Sequence, residues 1–240
     1  MIPRLYVQAA LAAGTEIALT PAQAHYLRHV LRLGRGGALH LFNGRDGEWA
    51  ASIVEQGKKA ATATVDESLR PQTPEPAIML LFAPLKRGPI EYLTEKATEL
   101  GVTCLQPVTT QRTVNQRVNL ERMQAHTTEA AEQCGRLSVP EVRPTLPLDA
   151  VLESWPENEV LMFCDERGGP PMLNALLRSP RLPAALLIGP EGGFDPRERE
   201  RLLDHPGVRP ISLGPRILRA ETAAAVALAL WQSVHEHGSA

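Results

Sequence analysis

The chain has little cysteine, no long apolar run and almost no net charge, and each shortage narrows what it can be. Three cysteines in 240 residues, Cys104, Cys134 and Cys164, lie far outside any CxxC or zinc-ligand spacing. So sparse and odd a count excludes a disulfide scaffold and suits a reducing compartment. The greasiest stretch, Ala223 to Trp231, falls far short of the ~20 residues a membrane span requires. Arg4 and Gln8 interrupt the N-terminal "MIPRLYVQAALAA", which leaves no apolar signal-peptide core. The expectation is a cytoplasmic protein with neither a membrane nor a metal partner. A net charge of −2 provides no overall basic field to attract nucleic acid. Several motifs are missing too: G-x-G-x-x-G after an early strand, G-x-x-x-x-G-K-[ST], and G-x-S-x-G. Dinucleotide enzymes, P-loop NTPases and α/β-hydrolases are thereby disfavoured. His25 and His29 are four apart on a helix but lack the Glu of H-E-x-x-H, so they read as surface histidines.

What is present is unevenly placed. Residues 1–45 carry five arginines (Arg4, Arg28, Arg32, Arg35, Arg45) against one acid, Glu16, and residues 209–219 add Arg209, Arg216 and Arg219 with no acid. Local basic patches of this kind are compatible with an RNA partner. Proline-rich "DESLRPQTPEPA" (66–77) reads as a linker. Before it come short strand-like runs, with "NGRDG" as a hairpin turn. One helix interrupts them, "PAQAHYLRHVLRL", capped by Thr20 with Pro21 at its first position. Its inward stripe would be Tyr26, Leu27, Val30, Leu31 and Leu33, with Arg28 and Arg32 on another face. Residues 1–70 therefore read as a small β-barrel with a helix. From 77 to 240 strands and helices alternate, which predicts an α/β domain on a largely parallel sheet.

Ligands of open α/β sheets bind beyond the carboxyl ends of the strands. Two such ends carry unusual loops. In "IGPEGGF" (188–194), Gly192 and Gly193 let the backbone approach a ligand and offer its N–H groups. In "LGPRILRAETA" (213–223), Gly214 and Pro215 turn the chain, and Ile217 and Leu218 stay apolar within a loop. Together they would suit a nucleoside, although two ordinary tight turns would read the same. Arg219 precedes a helix that must pack inward, so its guanidinium is expected to enter a pocket or pair with Glu191 or Glu221. A third group comprises Arg112 after a strand end, and Glu132 with Arg136 four apart on one helix face, where an ion pair is the default reading.

These residues resemble a known family. "IGPEGGF" followed by Glu198, then "LGPRILRAETA", is similar to the SPOUT-class methyltransferases, and specifically to the RsmE-type enzymes that methylate uracil N3 in small-subunit (16S) ribosomal RNA. "PRLYV", "HYLRHVLR", "EKATELGV" and "EAAEQCGR" follow the same order, so the resemblance covers nearly the whole chain. It implies a PUA-like N-terminal barrel that contacts RNA, a C-terminal sheet tied in a trefoil knot, and a homodimer. S-adenosylmethionine would bind among Cys164, Glu166, Ile188, Gly189, Glu191, Gly192, Gly193, Leu213, Gly214, Ile217, Leu218 and Thr222. Arg219, aided by Arg112, would stabilise the anionic base, and Glu191 or Glu221 would take the proton. Arg4, Arg28, Arg32 and Arg136 would hold RNA. Two positions depart from the family pattern: "KRGPIE" (86–91) lacks a basic residue two before the Glu, and Gln111 replaces a common Glu. Two other readings stay open from sequence: a methyltransferase acting on a ribose 2′-hydroxyl, and an RNA-binding protein without catalysis.

Overall fold

The computed structural model describes residues 2–57, 60–115, 117–179 and 183–238. The chain divides into two units, one comprising residues up to Pro74 together with Ala131–Val139, the other Glu75–Ala130 and Pro140 onward.

In the first unit the strands are β1 (Arg4–Tyr6), β2 (Glu16–Leu19), β3 (Ala38–Phe42), β4 (Glu48–Gln56) and β5 (Ala61–Arg70). Their order is β1-β3-β4-β5-β2. Alternate side chains, among them Leu39, Leu41, Ala51, Ile53, Ala63 and Val65, meet in one core with Leu27, as period-two burial requires. No pairing of β1 with β2 closes the ladder among the described residues, so the expected barrel is an open sheet in its hydrogen bonding. The "NGRDG" turn joins β3 to β4 as expected. Asn43 Oδ1 accepts the N–H groups of Arg45 and Asp46, an Asx turn, and Gly47 takes φ +81. A Cβ at Gly47 would stand 2.1 Å from the Arg70 carbonyl oxygen, so only glycine fits there.

The first helix is shorter than its pattern. Thr20 and Gln23 form a capping box on α1 (Pro21–His25), but Tyr26–Val30 is a π-helical turn closed by Leu31 N–H to the Tyr26 carbonyl at 3.0 Å. Arg32 then leaves the helix at φ +56. The wider turn shifts the phase: Val30 points outward, 61% exposed, and Arg28 and Arg32 share no helix face.

Arg4 is a structural residue, contrary to the RNA contact expected of it. Its guanidinium donates to Glu48 and to the carbonyls of Ala131 (2.8 Å), Glu132 (3.0 Å) and Arg136 (2.6 Å), and lies over the Phe42 ring. The shared helix face expected for Glu132 and Arg136 is absent as well. The helix ends at Cys134, Gly135 turns the chain at φ +85, and Glu132 accepts the Tyr6 N–H at 2.9 Å.

Glu48 sits between Arg4 and Arg70. Burial alone would push its pKa up, but the hydrogen bonds from the two guanidinium groups outweigh burial and hold it below the usual carboxylate range. A pKa depressed in the folded state contributes stability above the unfolded value, near ~4.3 for Glu. That contribution is lost as pH falls through the folded value. The thermal midpoint of the wild type should therefore exceed that of Glu48→Gln most at neutral pH, and the gap should narrow on acidification below about pH 4. A gap independent of pH would rule this account out.

The second unit holds β6 (Met79–Phe82), α2 (Arg87–Glu99), β7 (Cys104–Thr109), α3 (Leu120–Cys134, its last residues in the first unit), β8 (Glu141–Val142) and β9 (Leu146–Pro147). There follow α4 (Leu148–Ser154), β10 (Leu161–Cys164), α5 (Met172–Arg178), β11 (Ala185–Ile188), α6 (Pro196–Asp204), β12 (Val208–Ile211) and α7 (Ala220–Gly238). The strand order is β12-β10-β11-β6-β7-β8, with β9 also on β7. Every pairing is parallel, as strand–helix alternation predicts.

Each central strand is apolar on both faces. Leu186 and Ile188 pack in one cluster with Leu93, Leu176 and Ala224 of α2, α5 and α7. Ala185 and Leu187 pack in another with Val151 and Leu202 of α4 and α6. The linker begins later than expected, because Asp66–Arg70 continue β5. The short helices α4 and α5 and the two-residue strands β8 and β9 go unannounced by the sequence pattern.

Candidate active site

The parallel register brings the carboxyl ends of five strands to one edge of the second unit. Cys164 stands beside Ile211, Ile188 beside Phe82, and Phe82 beside Pro107. Both loops singled out in the sequence, after β11 and after β12, leave from this edge.

The loop after β11 is tightly built. A Cβ at Gly189 would come within 2.9 Å of the Phe194 ring, which is itself buried edge-on against Phe163. Gly193 adopts φ +65, and a Cβ there would meet the Glu166 carboxylate, so glycine is needed for conformation and for space. The chain then enters α6 through an Asp195/Glu198 capping box with Pro196 in its first turn.

The loop after β12 sends Leu213 and Leu218 into the cluster that holds Cys164, Ile188 and Ile211. Ile217 stays outside, 93% exposed. Gly214 takes φ +118 with open space on its Cβ side. The loop after β10 lies along this stretch: Met172 N–H donates to the Ser212 carbonyl and Ser212 N–H to that of Pro170, each at 3.0 Å.

The charged residues are placed as follows. Arg112 Nη1 donates to the Gly192 carbonyl at 2.8 Å, which joins the loop after β7 to the glycine loop. Glu191 is exposed and Glu221 half-buried, the latter in the first turn of α7. Arg219 caps α7 through its carbonyl, which accepts the Ala223 N–H at 2.8 Å. Its guanidinium is exposed and has no protein partner among the described residues. The expected pairing with Glu191 or Glu221 is therefore absent, because the loop spends its inward positions on Leu213 and Leu218. Burial pushes the Cys164 thiol up to about 12, so it is a neutral apolar wall rather than a nucleophile. In the first unit Arg28 reaches the Gly57 carbonyl at 3.2 Å, and both Arg28 and Arg32 are exposed. Arg136 is half-buried.

Sequence reasoning missed Asp165 and Arg199 of this edge and named Glu198 only within a motif. Asp165 is buried and holds Arg199 through Nε (2.9 Å) and Nη2 (2.8 Å), and Glu198 is buried as well. The paired charges of "DPRERERLLD" were the available signal. A cavity of about 630 Å³ opens at the opposite ends of the strands, lined by Met79, Cys104, Trp155 and an Arg143–Glu141 pair already joined at 3.0 Å. It has no glycine loop and none of the charges described above. Among the described residues no cluster could hold a metal ion, and no helix is long and apolar enough to cross a membrane.

The comparisons agree with this division of labour. Residues 72–232 match the model of the RNA methyltransferase domain, and residues 19–66 that of the RNA methyltransferase PUA domain. The fold is thus an α/β RNA methyltransferase fold preceded by a PUA-like domain. The chain is 33% identical to ribosomal RNA small subunit methyltransferase E of Rickettsia conorii, over 98% of this chain and 96% of that one. It is 38% identical to the Synechocystis enzyme of the same name, over 89% and 71%. The crystal structure of that methyltransferase from Neisseria gonorrhoeae, bound to S-adenosylmethionine, superposes with a TM-score of 0.87 at 29% identity over 98% of both chains. The chain belongs to the ribosomal RNA small subunit methyltransferase E family.

Proposed function

We propose that this chain transfers a methyl group from S-adenosylmethionine to N3 of a uridine in 16S ribosomal RNA. The observation that carries this reading is that both glycine loops leave one sheet edge, with Arg112 of the loop after β7 bonded to the Gly192 carbonyl. The edge suits the cofactor. Gly189, Gly192, Gly193 and Gly214 bring the backbone within reach, and Ile188, Leu213 and Leu218 form an apolar wall. The N–H groups of Leu213 and Leu218 have no protein acceptor among the described residues, which leaves them free for a base edge. Cys164, Glu166, Glu191, Ile217 and Thr222 complete the set of holding residues. When bound, the cofactor supplies an electrophilic methyl group.

The protein's share is acid–base and electrostatic. Uracil N3 is an imide N–H between two carbonyls, and it is a nucleophile only once deprotonated. Glu191 or Glu221 accepts that proton. Arg219, aided by Arg112, offers positive charge to the carbonyl oxygens where negative charge collects. N3 lies on the Watson–Crick edge, so the target base must be unpaired when modified.

Residues 1–70 act as the RNA-binding domain and 77–240 as the methyltransferase domain. Arg28, Arg32 and Arg136 hold phosphates without reading sequence. Arg4 is withdrawn from that set because its donors are spent inside the first unit. A homodimer is supported by the outer face of α7, where Ala225, Val226, Ala229 and Leu230 remain exposed or half-buried. A trefoil knot of the SPOUT class is supported by the entry of β11 between the earlier strands β6 and β10, and by the chain's passage to the far edge at β12. The reaction takes place in the cytoplasm, where its substrate is.

Small ribosomal subunits incubated with labelled cofactor and digested to nucleosides should carry the label on the uracil base at N3. Label on ribose, or none, would refute the reading.

A further inference from the structure

We infer that Glu198 is a positioning residue that sets Arg112 through a backbone hydrogen bond. The inference rests on the role just proposed for Arg112. Glu198 is 7% exposed, and each of its carboxylate oxygens serves a different loop. Oε2 accepts the Asp195 N–H at 3.1 Å, the capping-box bond that starts α6. Oε1 accepts the Gln111 N–H at 2.7 Å, in the loop after β7.

A capping box accounts for only the first of these bonds. The second crosses to another strand end and fixes the residue immediately before Arg112. Arg112 in turn bonds the Gly192 carbonyl, and the loop that carries Gly192 leads directly into α6. One ring results: Glu198 to Gln111, along the chain to Arg112, across to Gly192, and back through Asp195 to Glu198. A closed ring restrains a long side chain far better than a single bond at its tip, because the backbone beneath the guanidinium is fixed as well. The neighbouring Arg199 holds Asp165 in the loop after β10, so adjacent residues of one helical turn grip two strand-end loops.

The turn itself supplies the variant that isolates this contact. Thr113 N–H donates to the Thr110 carbonyl at 3.1 Å, and neither Gln111 nor Arg112 has positive φ. Residues 110–113 thus form a type I turn with Gln111 at its second position, where proline is favoured. Gln111→Pro removes the N–H that Glu198 accepts and suits the turn, while its ring takes the place of that hydrogen and turns Oε1 of Glu198 away.

The test measures turnover, S-adenosylmethionine affinity by calorimetry and thermal midpoint for the wild type, Q111P, E198Q and R112A. Q111P should stay folded with a somewhat lower midpoint and keep its affinity for the cofactor while turnover falls roughly 10- to 100-fold. E198Q should fall to an intermediate rate, since its single carbonyl oxygen can accept only one of the two N–H groups. Wild-type turnover in Q111P beside an impaired R112A would overturn the positioning role alone. Wild-type turnover in R112A would overturn the proposed role of Arg112 instead, and this inference with it. Should Q111P lose its midpoint, E198Q decides, and an unimpaired rate there would overturn the inference.

Discussion

Arg219→Ala should lower turnover about 100-fold, or about 2.7 kcal/mol of transition-state stabilisation, and leave cofactor affinity within about twofold. The residue sits at the entrance of α7, where its backbone is fixed: the carbonyl holds the Ala223 N–H, and Leu218 beside it packs into the core cluster. The guanidinium is therefore carried on a rigid base while remaining unspent among the described residues. A surface arginine in a flexible loop would have neither property. Because its charge is matched to one that develops only as the imide loses its proton, the loss should fall on kcat and spare binding. Lysine should restore part of the rate, since it supplies charge without the planar fork. Steady-state kinetics with small subunits, set beside calorimetry with cofactor alone, gives both numbers. An equal loss in binding and in rate would make Arg219 a cofactor ligand instead.

Arg4→Ala should cost roughly 3–5 kcal/mol of folding stability, because a buried carboxylate loses one of its two guanidinium partners and three carbonyls lose their donor together. It leaves Glu48, only 5% exposed, with Arg70 as its one remaining guanidinium partner, and removes the donor to three carbonyls. For a chain of this length the thermal midpoint should drop by roughly 10 °C or more. Arg4→Lys should rescue little, because one ammonium cannot span acceptors that a five-donor fork reaches together. RNA affinity, measured below the new midpoint, should be that of the wild type. A variant with normal stability and weakened RNA binding would return Arg4 to the RNA face.

Those two arginines mark how far the sequence could be read. The alternation of strand and helix after residue 77, the cap at Thr20 and the glycine turns were legible, because each depends on local spacing alone. The two glycine loops were legible as a possible nucleoside site for the same reason. The partners of Arg4 were not: Glu48 lies 44 residues away and the three carbonyls more than 120, and a basic cluster has the same composition whether it faces phosphate or a carbonyl cage. The π-helical turn at Tyr26–Val30 defeated a fixed 3.6-residue period, which put Val30 inside and paired Arg28 with Arg32. Glu198 was visible only as the residue that follows the "IGPEGGF" motif, because its bond to Gln111 goes to a backbone N–H and leaves no trace in side-chain identity. The family resemblance supplied the cofactor and the target atom, which spacing alone does not give.

Strand order also fixes a timetable. The ribosome releases a chain from its amino end, and β11 must lodge between two neighbours made before it, with β12 passing outside them. The first unit can be finished once residue 139 has emerged, whereas the proposed methyl-transfer pocket waits for α7, which carries Glu221. A nascent copy therefore lacks part of that edge until α7 has emerged.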